Sequence, residues 1–137
     1  GMSMEDTIRE VRKAGGVSVI AHPFQIHRHG TLSLKEVIRV VDALEVFNAK
    51  FYIGLCNKLT NHFARKYRKP GIAGSDAHSA KSLGYGLTIL YNANNSDSAL
   101  EDIRCGFTGV IGCRIPMSIQ FKTSSIMGWI SWKKSKE

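Results

Sequence analysis

Helical and extended patterns alternate along this chain, and this alternation constrains the fold more than any other feature of the sequence. The first helical pattern covers residues 4–14 and ends at Gly15 and Gly16, where a left-handed cap is needed. An apolar stretch at 17–21 follows at once, as expected of a buried strand. Repeated steps of this kind predict an α/β domain with a mostly parallel sheet and helices packed against it.

The later segments continue this order. Ser33 and Glu36 have the spacing of a capping box, which predicts a short amphipathic helix. Further strands are predicted at 43–47, 72–74, 85–91 and 110–111, and further helices at 54–67 and from Ser98, where Glu101 repeats the capping-box spacing, to Arg104. Periodicity fails beyond Pro116, so we expect one α/β domain at 1–116 and a C-terminal tail at 117–137 that packs on the domain or on a partner.

Charge and cysteine content narrow the class of protein. The formal net charge of +8 at pH 7 suits an anionic partner such as a phosphorylated small molecule. Nucleic acid is the weaker alternative, because no nucleic-acid-binding module accompanies the charge. The three cysteines are widely spaced and predict buried thiols, not a zinc knot. No membrane-length apolar run or secretory pattern occurs, so we expect a cytoplasmic protein without a membrane partner.

Three side chains that can bind metal follow the ends of predicted strands. His22 comes directly after 17–21, and Asp76 and His78 come directly after 72–74. The carboxyl ends of parallel strands meet at one edge of a sheet, where the sites of α/β proteins usually lie. Imidazole and carboxylate suit zinc, manganese or iron. Strand-end residues of these types also serve as plain hydrogen-bonding groups, so spacing alone leaves metal binding open.

Three segments occur in the order and approximate separation found in the polymerase and histidinol phosphatase (PHP) family. They are 15–23, which ends in Ala-His-Pro, 44–48, Leu-Glu-Val-Phe-Asn, and 73–78, Ala-Gly-Ser-Asp-Ala-His. Over about residues 5–112 the chain therefore resembles the C-terminal half of a PHP metal-dependent phosphoesterase, a distorted (β/α)7 barrel. The resemblance implies that His22, Asp76 and His78 bind a divalent metal, zinc or manganese with iron as a further option. It also implies that Asp76 and His78 take part in phosphate ester hydrolysis.

The sequence departs from that family upstream of the Ala-His-Pro segment. Family members carry a His-x-His segment, an acidic ligand and another histidine there, whereas no histidine precedes His22. We therefore expect a phosphoesterase that is weakly active or inactive as this chain alone. The alternative is a non-catalytic metal-binding or structural half-barrel. In either case a second copy or another chain is expected to cover the open sheet edges.

Cationic and imidazole side chains on two loops are further candidates. His27 and His29 follow the predicted ligand His22 closely and repeat a His-x-His pattern, so they are candidates for additional metal ligands. The alternative for this segment is a solvated basic loop. Arg28 and Lys81 lie on the loops after the two ligand segments and are predicted to bind phosphate as exposed cations.

Two polar residues belong to the strand predicted at 43–47. Glu45 lies inside this apolar strand, where an unpaired carboxylate is costly, so we expect it to accept a hydrogen bond and to orient a ligand imidazole. Asn48 comes just past the end of the same strand and is predicted to lie at the rim of the site.

Overall fold

A computed structural model of the protein describes residues 1–24, 34–51 and 53–123. Helices and strands largely alternate in this part of the chain, which confirms the α/β character predicted from the sequence. The elements are α1 (Met4–Lys13), β1 (Val19–Ile20), α2 (Leu34–Val40), β2 (Ala43–Asn48), α3 (Leu55–Lys66), β3 (Gly71–Gly74), β4 (Gly86–Leu90), α4 (Ser96–Cys105), β5 (Thr108–Gly112) and α5 (Met117–Thr123). None of the described helices is long and apolar enough to cross a membrane.

The first three strands form a parallel sheet in the order β1-β2-β3. The middle strand β2 is buried at every position except Phe47, since it lies between β1 and β3 and contributes Leu44 and Val46 to the core. Its pairing with β3 is interrupted between Glu45 and Phe47 by a β-bulge, a local insertion of one extra residue into one strand. The parallel arrangement brings the carboxyl ends of all three strands to one edge, as predicted.

The last two strands depart from the predicted parallel sheet. β4 and β5 pair antiparallel as a separate two-stranded sheet, with Leu87 opposite Ile111. A side chain joins this sheet to β3, since the Thr88 hydroxyl accepts from the Ala73 N–H and donates to the Ala73 carbonyl oxygen. The predicted parallel pairing therefore holds for β1, β2 and β3 but not for β4 and β5, because α4 returns the chain beside β4 in the opposite direction. The barrel fragment stays a prediction.

The hydrophobic core lies where helices α1, α2 and α3 meet β2. Its buried members are Ile8, Val37, Ile38, Val41, Leu44, Val46 and Ala64. Ile38 and Leu44 are fully buried. Burial of such a side chain stabilises a fold by about 1.5–3 kcal/mol relative to leaving it exposed. The core therefore fixes β2, and with it the edge at which the predicted site residues lie.

The start of α4 differs from the predicted capping box. Its N-cap is Asn95, whose side-chain oxygen accepts from the Ser98 N–H at 2.8 Å, while the Ser98 hydroxyl accepts from the Asn95 N–H. Ser98 is thus the third residue of the helix, and the predicted pairing with Glu101 is wrong, because asparagine caps helices as well as serine does. At α2, Ser33 lies outside the described residues.

The cysteines are free thiols, and their surroundings correct the prediction of buried side chains. Cys56 is half-buried and donates to the Phe24 carbonyl oxygen, but Cys105 and Cys113 are exposed. Cys105 ends α4 and Cys113 follows β5, so both occupy points where the chain leaves the packed interior.

Candidate functional site

The predicted ligands His22 and Asp76 share an unusual backbone conformation at the carboxyl edge of the parallel sheet. His22 has φ +33° and Asp76 has φ +49°, in the left-handed region that residues other than glycine seldom adopt. Each such residue costs a fold about 1–3 kcal/mol and persists only where its surroundings hold it. Each lies two residues past the end of a strand, His22 after β1 and Asp76 after β3.

A buried carboxylate joins the ends of the three strands. Glu45 Oε2 accepts from the main-chain N–H of His22 at 2.7 Å and from Asn48 Nδ2 at 3.1 Å. Glu45 Oε1 lies against Gly74, where an added Cβ would overlap it, so the glycine leaves the space that this acid occupies. Glu45 therefore holds the strained backbone of His22. Its predicted role in orienting an imidazole ring stays a prediction.

Asn48 is the last residue of β2 and its side chain is fully buried. Its N–H donates to Asn57 Oδ1 and its carbonyl oxygen accepts from Asn57 Nδ2, which ties the end of β2 to α3. Its own Oδ1 accepts from the Lys50 N–H at 2.9 Å. Asn48 thus fixes the turn after β2, and through it the position of Lys50.

Asp76, His78 and Lys50 form a cluster of charged and polar side chains beyond β3. His78 Nδ1 lies 2.8 Å from the Asp76 carbonyl oxygen. Since a carbonyl can only accept, Nδ1 carries the proton and Nε2 is the acceptor of the neutral ring. Lys50 Nζ lies 3.0 Å from Nδ1, 3.2 Å from Nε2 and 3.9 Å from Asp76 Oδ2. Asp76 Oδ2 is buried and has no hydrogen-bond partner.

The cluster of Asp76, His78 and Lys50 contains some of the ligands that a metal site needs, but not all of them. The orphaned Asp76 Oδ2 and the unprotonated His78 Nε2 are the donor types that zinc and manganese accept. Within 1–24, 34–51 and 53–123, however, no group of three or more His, Cys, Asp or Glu side chains is placed to hold a metal ion. His22 therefore does not join Asp76 and His78 in such a group, and the described residues fit two ligands of a metal without completing its coordination.

Of the remaining predicted site residues, the structure describes only Lys81. His27, Arg28 and His29 lie outside the described residues. Lys81 is exposed on the short 3-10 turn Ala80–Ser82, next to the buried Ser82 that lines a small cavity with Asp76 and His78. Lys81 is thus close to the cluster in sequence and open to solvent, and its phosphate-binding role stays a prediction.

Sequence reasoning missed Lys50. The residue belongs to no motif, and lysines at strand ends are common. The signal that could have found it is its place two residues after Asn48, at the same sheet edge as the predicted ligands.

Part of the chain that includes Asp76 and His78 matches a protein family model. Residues 54–108 match the family model described as PHP-associated. The chain carries a PHP-associated segment. This segment includes Asp76 and His78 and confirms the resemblance to the C-terminal region of the PHP family, while His22, Glu45 and Lys50 precede it. None of the curated proteins matches the chain.

A second charged cluster lies at the opposite end of the parallel sheet from the PHP-associated Asp-x-His pair. Asp42 accepts from the Ser18 N–H at 2.8 Å, from the Ser18 hydroxyl and from Arg12 Nη2 at 2.7 Å. Burial acts to raise the pKa of Asp42, but the hydrogen bonds from Arg12 and Ser18 outweigh it and hold the pKa below 3.8. Burial also lowers the pKa of nearby Lys69. This cluster joins α1 to the starts of β1 and β2, so its role is structural.

Proposed function

We propose that this chain is a PHP-like metal-dependent phosphoesterase that acts on phosphorylated small molecules, with weak activity as a single chain. One observation carries the proposal: Asp76 Oδ2 is buried without a hydrogen-bond partner, and Oδ1 of the same carboxylate lies 3.7 Å from His78 Nδ1. A buried carboxylate oxygen in that state favours a cation. The PHP-associated match, which includes both residues, supports the same assignment.

Asp76 and His78 would contribute to the reaction by binding the metal ion. Asp76 supplies negative charge, and His78 presents Nε2 because its Nδ1 proton is held by the Asp76 carbonyl oxygen. A divalent ion bound there, zinc or manganese with iron as a further option, would polarise a phosphoryl oxygen and lower the pKa of its water. Lys81 and Arg28 are the cations that would contact the phosphate.

Weak activity follows from the number of ligands. The described residues supply Asp76 and His78, and His22, His27 and His29 are the proposed sources of the remainder. A singly occupied, solvent-open site lacks the paired charge that stabilises a phosphoryl transition state. A second copy of the chain, or a partner, would add ligands or exclude water. The solvent-exposed pair Leu87 and Ile111, opposite each other on β4 and β5, supports such a contact.

The second candidate function is a metal-binding or structural half-barrel without catalysis. Two observations favour it: no three-ligand group is assembled among the described residues, and the Lys50 ammonium already lies against Asp76 and His78. Under this alternative the PHP-associated segment retains the fold and the Asp-x-His pair, but hydrolysis is lost.

A metal-titrated assay separates the two candidates. Protein stripped with EDTA would be titrated with Zn²⁺ or Mn²⁺ and tested for hydrolysis of para-nitrophenyl phosphate. Phosphoesterase function predicts slow, chelator-sensitive turnover that is lost in Asp76→Asn and retained in Asp97→Asn, a matched change at an exposed aspartate of α4. Metal binding without turnover would favour the half-barrel. Absence of metal binding would exclude both metal-dependent functions.

A further inference from the structure

Lys50 is held beside the Asp-x-His pair by its own backbone. It lies two residues past β2, and its N–H donates to the buried Asn48 Oδ1 at 2.9 Å. Because Asn48 is fixed in turn by Glu45 and Asn57, the Cα of Lys50 has a defined position at the sheet edge. Its side chain is only 29% exposed, which is low for a lysine. The fixed backbone position and the low exposure of the side chain keep the Lys50 ammonium beside Asp76 and His78.

The ammonium contacts the groups that the proposed function assigns to a metal. Lys50 Nζ lies 3.0 Å and 3.2 Å from the two ring nitrogens of His78 and 3.9 Å from Asp76 Oδ2. Because the ammonium is almost equally far from both ring nitrogens, it lies over the face of the ring and not along the in-plane lone pair of Nε2. A metal ion bound to His78 and Asp76 would lie close to this ammonium, and the two positive charges would repel each other.

We propose that Lys50 is a built-in competitor for divalent cations at the Asp76 and His78 pair. In the metal-free chain its ammonium lies against the His78 ring and offsets the negative charge of Asp76, and it has to move away before a metal ion binds between the two side chains. The inference rests on the proposed function in assigning these two side chains to a metal. It goes beyond that function by naming the residue that sets the apparent affinity.

The expected effect can be bounded from the contacts. A ligand that must first displace a competing group has its apparent affinity lowered by the fraction of molecules in which the group has left. For a partly exposed ammonium with one contact to an imidazole ring and one ion-pair contact, we expect Lys50→Met to tighten metal binding about tenfold. If the loss of one positive charge from the protein were the cause, removal of any exposed lysine would tighten metal binding by a similar factor. Lys58, exposed on α3, is the matched control for that effect.

The first measurement needs no metal. Metal-free protein would be treated with a low concentration of acetic anhydride, and acetylation of each lysine followed by peptide mass spectrometry. If Lys50 is engaged as described, its acetylation accelerates several-fold in Asp76→Asn, while Lys58 reacts at an unchanged rate. Equal rates at Lys50 in the two proteins would overturn the inference, whatever the protein does with metals.

The second measurement is calorimetric titration of folded protein with Zn²⁺ and with Mn²⁺, the fold of each variant being checked by circular dichroism. About tenfold tighter binding in Lys50→Met, with Lys50→Arg and Lys58→Met near the unsubstituted affinity, supports competition. Equal binding in Lys50→Met and the unsubstituted protein overturns it and leaves the metal function intact. Binding seen only in Lys50→Met supports it. Binding by neither overturns both the competition and the proposed metal function.

Discussion

The carboxylate of Glu45, inside β2, accepts a hydrogen bond at 2.7 Å from the main-chain N–H of His22, which lies just past the end of β1. An acid buried in the middle strand thus fixes the backbone of a residue in the left-handed region. The same oxygen accepts from Asn48, which positions Lys50. One buried side chain therefore couples the predicted ligand after β1 to the lysine after β2.

Replacement of Glu45 by alanine should be strongly destabilising. It leaves the His22 N–H and Asn48 Nδ2 without their acceptor and opens a cavity beside Gly74, so we expect a loss of about 2–4 kcal/mol in the free energy of unfolding. Urea denaturation measures the loss. Glu36→Ala, at an exposed acid of α2, is the control and should change stability by less than about 0.5 kcal/mol. Equal effects of the two substitutions would show that the Glu45 contacts contribute nothing.

A methyl group at Gly86 should also destabilise the protein. Its Cβ would overlap the carbonyl group of Gly74, and a backbone neighbour cannot rotate away as a side chain can. We expect Gly86→Ala to lower the unfolding free energy by about 1–3 kcal/mol, as overpacking does elsewhere. Gly54→Ala is the matched control, because no atom lies within 4 Å of a Cβ there. A thermal melt in which both variants unfold with the native protein would contradict this close approach of β4 to β3.

The Asp42 cluster predicts a pH dependence of stability. The pKa of Asp42 is below 3.8 in the folded chain, so its contribution is complete at pH values well above 3.8 and is lost as pH falls through the folded pKa. Asp42→Asn should therefore cost about 1–3 kcal/mol at pH 7, where the charged acceptor is lost. The difference from the native protein should shrink towards pH 3. Urea midpoints at pH 7, 5 and 3 test this, with Asp97→Asn as the control. A difference that persists unchanged at pH 3 would exclude the charge of Asp42 as its cause.

Substitution of His78 should separate metal binding from folding. Its side chain is 49% exposed, so His78→Ala is expected to change the unfolding free energy by less than about 1 kcal/mol. Loss of a ligand should weaken Zn²⁺ or Mn²⁺ binding at least about tenfold. His62→Ala, an exposed histidine of α3, should leave affinity unchanged. Unaltered metal stoichiometry and affinity in His78→Ala would remove it from the ligand set.

Much of the fold could be predicted because local patterns and tertiary packing agree. The apolar run of β2 and the four-residue spacing on α3 are strong signals, and both elements occur within one residue of the predicted ends. The direction of β5 could not be predicted, because its few residues pair by contacts distant in sequence. The cap of α4 was misplaced since Asn95 and Ser98 are equally good caps.

The candidate site was predictable only in part. Asp76 and His78 follow a strand and carry metal-binding groups, so their position at the sheet edge could be inferred from the sequence. Glu45 was expected to accept a hydrogen bond, but a sequence does not reveal that its donor is the backbone N–H of His22, past the end of β1. Lys50 was missed because its significance comes from a position in space that no motif encodes.

Because of the bulge in β2, the number of residues between Glu45 and Asn48 decides whether their side chains lie on the same face of the strand. Side chains alternate along a regular strand, so Glu45 and Asn48, three residues apart, would lie on opposite faces of one. The extra residue between Glu45 and Phe47 reverses that parity and lets Asn48 Nδ2 reach the carboxylate. Point substitutions leave this parity intact, and so would deletion of Val46, because the two residues would then be two apart on a regular strand and on one face. Insertion of one residue between Phe47 and Asn48 would instead change the parity and part the two side chains. Faster hydrogen exchange at the Lys50 amide, whose acceptor is Asn48, would report the separation.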